Sequence, residues 1–278
     1  MSEANARFLG TIPELYDRHL GPVIFEPYAA DLSRRVAAGT AAAAAPVLEL
    51  ACGTGILTQQ LRACLPVRAQ LVATDLNQPM VDYACTKPGM PAPIDWRTAD
   101  AAALPFPSTT FGALVCQFGL MFVPDKEAPF REARRVLVKD GLFAFNVWDG
   151  FEHNPFGRIA HETIASFFPA DPPNFYQVPF GFHDPNVLRQ FLKANDFGQV
   201  QLEWVTLEAR SPSANSFAVG LVKGNPVSIE IQERGVALDP IVDALEVALV
   251  RAGGDHPFRS TMRALVVTAR AGAARTNR

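Results

Sequence analysis

Residues 46–65 read PVLELACGTGILTQQLRACL. A short apolar run from Val47 to Ala51 is followed by a glycine-rich turn. Apolar residues then recur at helical spacing, so the segment predicts strand, turn and helix. Gly53 and Gly55 permit a tight turn and let a ligand approach the backbone. The same turn aims a helix N-terminus, with its free N–H groups, at whatever sits there.

The pattern repeats outward from this unit. LVATD (71–75) predicts a second strand ending in an acid, and Pro79 to Ala84 a short helix. IDWRTAD (94–100) predicts a third strand, also ending in an acid. FGALVCQF (111–118) predicts a fourth, followed by a helix from Lys126 to Lys139. Asp140-Gly141 then turns the chain into a fifth strand, LFAFNVW (142–148). Short apolar strands alternating with helices imply a parallel sheet covered on both faces.

On the N-terminal side, residues 12–38 read as helical with a break at Gly21-Pro22, and Ala41 to Ala45 form a connector. On the C-terminal side the rhythm stops. Residues 150–184 hold Pro155, Pro169, Pro172, Pro173, Pro179 and seven phenylalanines, an insertion expected over the sheet's end with one helix near 156–167. A helix from Pro185 to Asn195 is expected with Asp184 as its N-cap. Residues 199–209 and 261–271 predict two strands, with helical stretches at Phe217–Lys223 and Pro240–Ala252 between them, and a frayed tail from Arg270. The expected organisation is a helical lid at 1–45, an α/β core at 46–150, a Phe/Pro-rich insertion at 151–184, and completion of the sheet at 185–278 with a helical insertion at 212–257.

Composition narrows the function. The chain has 278 residues, 49% hydrophobic and 19% charged, enough for a large core. Lys plus Arg is 25 against 28 Asp plus Glu, a net charge of −3, which argues against a nucleic-acid binder. No apolar stretch approaches a membrane span, and the N-terminus has no apolar core run of the kind a secretory signal needs. Cys52, Cys64, Cys85 and Cys116 form no CxxC pair, so they read as incidental thiols of a reducing, cytoplasmic protein, with no metal site.

Asp75 lies 20 residues after Gly55, at the end of the next strand, where a carboxylate can accept both hydroxyls of a ribose. The spacing Gly53-x-Gly55-x-x-Thr58 nearly matches a dinucleotide fingerprint, so an NAD(P)-dependent oxidoreductase is one reading. Four features point elsewhere, among them Asp100, a second strand-end acid followed by the small residues Ala101 and Ala102. Thr58 replaces the small residue that the fingerprint places there for close helix packing. Glu49 sits in the strand just before the turn, where its charge suits a cationic ligand. The turn holds no basic residue.

Taken together, Glu49-LACGTG, Asp75-Leu76, Asp100-Ala101, LPFPSTTFGALVCQFGLMFVPD (104–125) and REARRVLVKDGLFAF (131–145) resemble the class I S-adenosylmethionine (SAM)-dependent methyltransferases. The nearest likeness is to the group that includes the ubiquinone and menaquinone C-methyltransferases. It covers roughly residues 45–150 well and the terminal strands loosely. The resemblance implies a Rossmann-like, doubly wound seven-stranded sheet whose last strand is antiparallel. It also implies SAM as cofactor and methyl transfer to a small apolar or aromatic acceptor under a helical lid. By position, Gly53, Thr54 and Gly55 would line the methionine part of SAM, and Glu49 would hold its amino-acid end through backbone or water. Asp75 would bind the ribose hydroxyls and Leu76 would pack on adenine. Asp100 and Ala101 would meet the adenine amino edge, and Gln117 and Phe118 would sit near the sulfonium. Two positions depart from the family's pattern: Gly112 follows Phe111 where an acid is usual, and Asp140 stands where a second glycine would precede the fifth strand.

For the acceptor side, His153, His161 and Tyr16 are candidate catalytic residues, with His19 and His183 as further candidate bases. Other motifs read blandly. Asp171-Pro-Pro-Asn174 is a proline-rich turn, Cys52 a turn filler, and Arg131, Arg134 and Arg135 a solvated helix face. A SAM-binding protein without turnover is the third reading. The sequence leaves a homodimer open.

Overall fold

The computed structural model describes residues 8, 10–40 and 45–272. Ala41–Ala44 of the expected connector and residues 273–278 of the expected tail lie outside the described residues.

Seven strands form one sheet: β1 (Val47–Leu50), β2 (Leu71–Asp75), β3 (Asp95–Thr98), β4 (Phe111–Gln117), β5 (Leu137–Trp148), β6 (Phe197–Ser211) and β7 (Phe258–Ala271). Their order is β3-β2-β1-β4-β5-β7-β6. The first five pair in parallel, and β7, the last strand of the chain, runs antiparallel between β5 and β6. This is the doubly wound sheet expected from the alternating pattern. β1, β2 and the first six residues of β4 are buried, as strands covered on both faces must be. The strand order reverses at β1, which has β2 on one side and β4 on the other. In open α/β sheets such a reversal leaves a crevice at the carboxyl ends of the two diverging strands.

Two helices separate the early strands. α3 (Ile56–Cys64) follows the glycine turn, and α4 (Gln78–Thr86) follows Asp75 and runs a little longer than the expected Pro79–Ala84. The chain falls into two compact units. One contains residues 1–27, 148–182 and 205–264; the other contains 28–147, 183–204 and 265–278. The second unit carries β1 to β4, β5 as far as Val147, α3, α4, α5 (Ala128–Val136) and α7 (Pro185–Ala194). Phe130 of α5 anchors its core, with its ring centroid 5.8 Å from Phe143, 5.7 Å from Phe145 and 5.3 Å from Phe191.

Several local expectations change. Gly21-Pro22 does not break the N-terminal helix. α1 (Ile12–Leu15), a π-helix (Tyr16–Phe25) and α2 (Glu26–Thr40) follow one another without an intervening residue. A proline has no N–H and its ring crowds the preceding turn, and the wider π turn accommodates both. The helix expected at 126–139 ends at Val136, because Leu137 already pairs with Phe111. Asp140-Gly141 therefore lies inside β5. Between the pairs Phe111–Leu137 and Ala113–Leu142 the register shifts, with Asp140 at φ +60°, so the expected turn is a bulge. Asp184 caps α7 as expected, accepting from Asn186 N at 2.8 Å. A helix at Val227–Glu233, α9, was not anticipated.

The first unit has an aromatic interior built from π-helix, α6 (Pro155–Ala165), α8 (Ala214–Lys223), α10 (Leu238–Gly253) and the adjoining strand segments. Phe156 packs against Trp148 and Phe217, and Phe217 against Phe258. Phe156, Phe175 and Phe180 from the Phe-rich segment are buried core residues. Asp171-Pro-Pro-Asn174 is a bend at Asp171 followed by irregular chain, and not the expected turn; Arg234 pairs with the Asp171 carboxylate at 3.5 Å.

The entry into α6 depends on one side chain. Asn154 is fully buried, accepts from Arg263 N at 2.9 Å, and reaches the carbonyls of Asp149 (2.9 Å), Gly150 (3.2 Å) and Arg263 (3.0 Å). Removing it leaves several buried backbone groups unpaired, each costing about 1–3 kcal/mol. Asn154→Ala is therefore expected to lower unfolding stability by about 3 kcal/mol or more in urea denaturation. A loss below about 1 kcal/mol would contradict that role.

Candidate cofactor site

The site is built where β1 and β2 end. Glu49 is the third residue of β1, in register with Ala73 on one side and Val115 on the other. Beyond β1 the chain turns sharply: Ala51 takes φ +52°, Gly53 φ +54° and Gly55 φ +78°. The turn is tied down by Cys52 N donating to Thr74 O and Gly55 N donating to Cys52 O, both at 2.9 Å. A side chain on Gly53 would point into open space. Gly55 is different: a Cβ there would lie 2.6 Å from Met90 Cε and 3.3 Å from Ala84 Cβ. Its missing side chain lets the start of α3 close against α4, the packing that the dinucleotide fingerprint assigns to a later position.

Asp75 joins the two strand ends. Its carboxylate accepts from Gly53 N at 2.9 Å, Asn77 N at 2.8 Å and Asn77 Nδ2 at 3.2 Å. Burial raises its pKa, and the N–H donors from Asn77 and Gly53 work against that rise. Leu76, the next residue, is 56% exposed, an unusual setting for a leucine beside a buried acid. Ala99 N donates to Asp75 O at 2.9 Å, which brings the end of β3 alongside. Asp100 is exposed and accepts from Ala102 N at 2.8 Å, so the Asp100-Ala101 pair forms its own small turn.

At the end of β4, Gln117 is half-buried and Phe118 is buried at φ +52°. A non-glycine residue in this conformation is strained and needs support. Asn146, its neighbour on β5, supplies it: Asn146 Oδ1 accepts from Phe118 N at 3.0 Å. Tyr28 meets the Phe118 ring edge-on at 5.3 Å. Gly119 closes the corner, because a Cβ there would lie 2.4 Å from Ala51 Cβ and 2.8 Å from Cys116 Sγ. Lys126 then donates to the Met121 and Val123 carbonyls, and burial lowers its pKa to about 8. Asn146, Gly119 and Lys126 were not singled out from the sequence. Their roles depend on the approach of β4, β5 and the turn after β1, which no local pattern reports.

The electrostatics of the site are one-sided. Glu49 is 1% exposed, and its Oε2 is buried without a hydrogen-bond partner, as are Thr54 Oγ1 and Thr58 Oγ1. Burial pushes the Glu49 pKa up to about 8. The nearby Thr58 hydroxyl offsets part of the shift without completing a hydrogen bond, and the Asp75 charge adds to it. Burial also raises the thiols, Cys116 to about 12 and Cys52 well above its ordinary value. Cys52 is therefore an inert turn filler, as expected. Buried acids beside unsatisfied hydroxyls suit a ligand bearing positive charge and hydrogen-bonding groups.

The remaining candidates lie in the other unit, each among its own neighbours. The Tyr16 ring stacks on Phe25 at 4.7 Å. His153 Nε2 is 3.8 Å from both Asp149 Oδ2 and Glu152 Oε1. His161 stacks on Phe151, with its Nε2 3.4 Å from Gln177 Nε2, and burial lowers its pKa. His19 Nδ1 lies 2.9 Å from Ser216 Oγ, and burial lowers its pKa too. The arginine patch is more than a solvated face. Arg131 pairs with Asp125, Arg134 donates to Gly272 O, and Arg135 pairs with Glu132 and clamps the Leu104 and Phe106 carbonyls.

A family profile described as "Methyltransferase domain" matches residues 48–145, the stretch that builds β1 through most of β5. Over residues 48–145 the chain is therefore similar to methyltransferase domains. The chain is 40% identical over 98 residues to a ubiquinone/menaquinone biosynthesis C-methyltransferase of Shewanella frigidimarina, covering 34% of this chain and 39% of that protein. It is 31% identical over 125 residues to a demethylmenaquinone methyltransferase of Lactobacillus johnsonii, covering 44% and 51%. The chain thus spans about two fifths to one half of the length of these curated relatives. Among solved structures, the YcgJ protein of Bacillus subtilis superposes with a TM-score of 0.59 at 16% identity, covering 89% of this chain and all of that one. A Haemonchus contortus phosphoethanolamine N-methyltransferase 2 in complex with SAM superposes with a TM-score of 0.56 at 13% identity, covering 94% and 56%. At these identities the likeness is one of fold.

The Glu49 environment has a measurable signature in the free protein. Unfolded Glu49 loses its proton above its ordinary value of 4.5, whereas the folded residue keeps it to about 8. Over that interval the folded state binds more protons, so stability falls as pH rises and levels off above the folded pKa. Asp75 contributes in the same direction. Urea denaturation between pH 5.5 and 8 is expected to show a shallower loss for Glu49→Gln than for the unaltered protein. Equal slopes would contradict a buried, neutral Glu49.

Proposed function

We infer that the chain transfers a methyl group from SAM to a small, largely apolar or aromatic acceptor held under a helical lid drawn from residues 1–45, 151–184 and 212–257. The observation that carries the cofactor half is the Gly53–Asp75 hydrogen bond beside the exposed Leu76. It presents a carboxylate with lone pairs to spare for a vicinal diol, next to an apolar surface for a base. The acceptor half draws support from the named activities of the curated relatives and from the aromatic wealth of residues 151–182. The family match spans residues 48–145 and includes none of those segments. No helix among the described residues is long and apolar enough to cross a membrane. The four described cysteines are free thiols, in keeping with a reducing cytoplasmic setting for this reading.

In this reading Asp75 accepts the ribose hydroxyls, Leu76 covers one adenine face, and Asp100 with Ala101 meets the adenine amino edge. Glu49, Gly53, Thr54 and Gly55 receive the amino-acid end, and Gln117 and Phe118 border the sulfonium. When bound, SAM supplies a methyl carbon that is already electrophilic. The protein's task is to hold the nucleophile in line with the methyl–sulfur bond and keep water out, and orientation of this kind can provide most of the rate. An amine that arrives neutral needs no base. A phenol or activated carbon does, and Tyr16, His153 and His161 are the assigned candidates. His161, with its pKa lowered by burial, is neutral at pH 7 and able to take a proton.

The test is isothermal titration with S-adenosylhomocysteine (SAH), the demethylated product, using NAD as control. The unaltered protein is expected to bind SAH in the micromolar range and NAD not at all. Asp75→Ala should weaken SAH binding at least about tenfold, about 1.4 kcal/mol for the lost charge-assisted bonds. Preferential binding of NAD would overturn the reading in favour of a dinucleotide enzyme with Thr58 tolerated in its turn. Methyl transfer from SAM to a panel of phenols, quinols and amines then tests the acceptor class.

A further inference from the structure

A carboxyl group placed inside a buried strand is costly unless something repays the cost when a ligand binds. Glu49 is such a group: it stands in β1, an interior strand of the sheet, between Ala73 and Val115. Its Oε2 is enclosed and unpartnered, and the Thr58 hydroxyl beside it, from the first turn of α3, is enclosed and unpartnered as well. The other titratable groups facing it are Asp75 from β2, Cys52 from the turn and Cys116 from β4. None of these is a cation. Arg62 of α3 is buried, but its guanidinium is spent on the carbonyls of Leu65, Pro66 and Ala69. A hydrogen bond from the Thr58 hydroxyl is strongest to an ionised Glu49, and a positive charge brought from outside favours that ionised form.

We propose that Glu49 and Thr58 form a proton-coupled selector for the cationic end of the cofactor. In the free protein Glu49 is neutral. When the ammonium group of the ligand's amino-acid end arrives, Glu49 passes its proton to solvent, and Thr58 Oγ donates a hydrogen bond to the resulting carboxylate. Thr58 occupies the position where a dinucleotide turn carries a small residue, so the departure from that fingerprint is the hydroxyl the ionised acid requires. A ligand with a pyrophosphate in place of the ammonium leaves Glu49 neutral and meets Asp75 as a like charge. This inference rests on the cofactor reading above and adds proton coupling and charge selection to it. The raised pKa of Glu49 agrees with the arrangement.

The experiment is titration calorimetry at pH 6.5 in two buffers of different ionisation enthalpy, with SAH and with adenosine as ligands. SAH carries the ammonium group, already protonated at this pH, and adenosine lacks it. Binding of SAH is expected to release close to one proton, seen as a buffer-dependent enthalpy, and binding of adenosine close to none. Glu49→Gln should bind SAH with a buffer-independent enthalpy. Thr58→Val should bind SAH more weakly, with less proton release, and leave adenosine affinity within about twofold. SAH binding without proton release in the unaltered protein would overturn the selector and leave the cofactor reading standing. Equal release with adenosine would overturn it by moving the titration to another group. No binding of SAH at all would overturn both. The comparison of the two ligands on the unaltered protein needs no variant to fold.

Discussion

The hydrogen bond from Gly53 N to the Asp75 carboxylate is the constraint on which the site depends. It fixes the turn after β1 to the end of β2, and so sets the direction in which α3 leaves the sheet. Without Asp75 as acceptor, the Gly53 N–H would lose its hydrogen-bond partner. With it, the first crossover leaves β1 toward β2 while β4 pairs on the other side, and the carboxyl ends of the strands stay available to a ligand. The cost is a buried carboxylate. Nearby, Glu49 adds a second buried acid, so the folded protein holds two groups whose charged forms it disfavours. Binding sites commonly store unfavourable local energy of this kind, and it is released when the intended ligand restores the missing charge.

The opposite wall shows the same logic in backbone form. Phe118 sits in a conformation that few non-glycine residues adopt, and Asn146 Oδ1 holds it there by accepting from its N–H. Ala51, at the end of the neighbouring strand, is strained in the same sense. Two adjacent strands thus end in left-handed corners, at the point where the strand order reverses. Packing around these corners is tight enough that Gly119 has no room for a methyl group. Such rigidity suits the proposed alignment of a bound ligand, because misplacement by a fraction of an ångström is expensive in orientation.

Much of this was legible in the chain because the decisive signals are local. The strand at 71–75 was read to the residue, and the strand–turn–helix at 47–64 needs only its apolar run and two glycines. Asp75 was legible because a strand-end acid at that distance from the turn has few other uses. What the sequence hid depends on contacts between distant segments. Gly21-Pro22 reads as a break, yet a π turn absorbs the proline. Leu137 and Val138 continue a helical pattern, yet pairing of Leu137 with Phe111 recruits them to the sheet. Asn154 looks like an ordinary loop residue, yet it satisfies backbone groups on a strand 109 residues away. Arg135 reads as surface charge, yet it holds the loop before β4 by two carbonyls.

The most direct test of the central claim is a crystal structure of the protein grown with SAH. The account predicts the ligand at the carboxyl ends of β1 and β2, with its ribose hydroxyls on the Asp75 carboxylate, its adenine against Leu76 and its amino-acid end over the Gly53 turn. A ligand bound elsewhere on the chain, or seated there with Asp75 still directed only at Gly53 and Asn77, would contradict it.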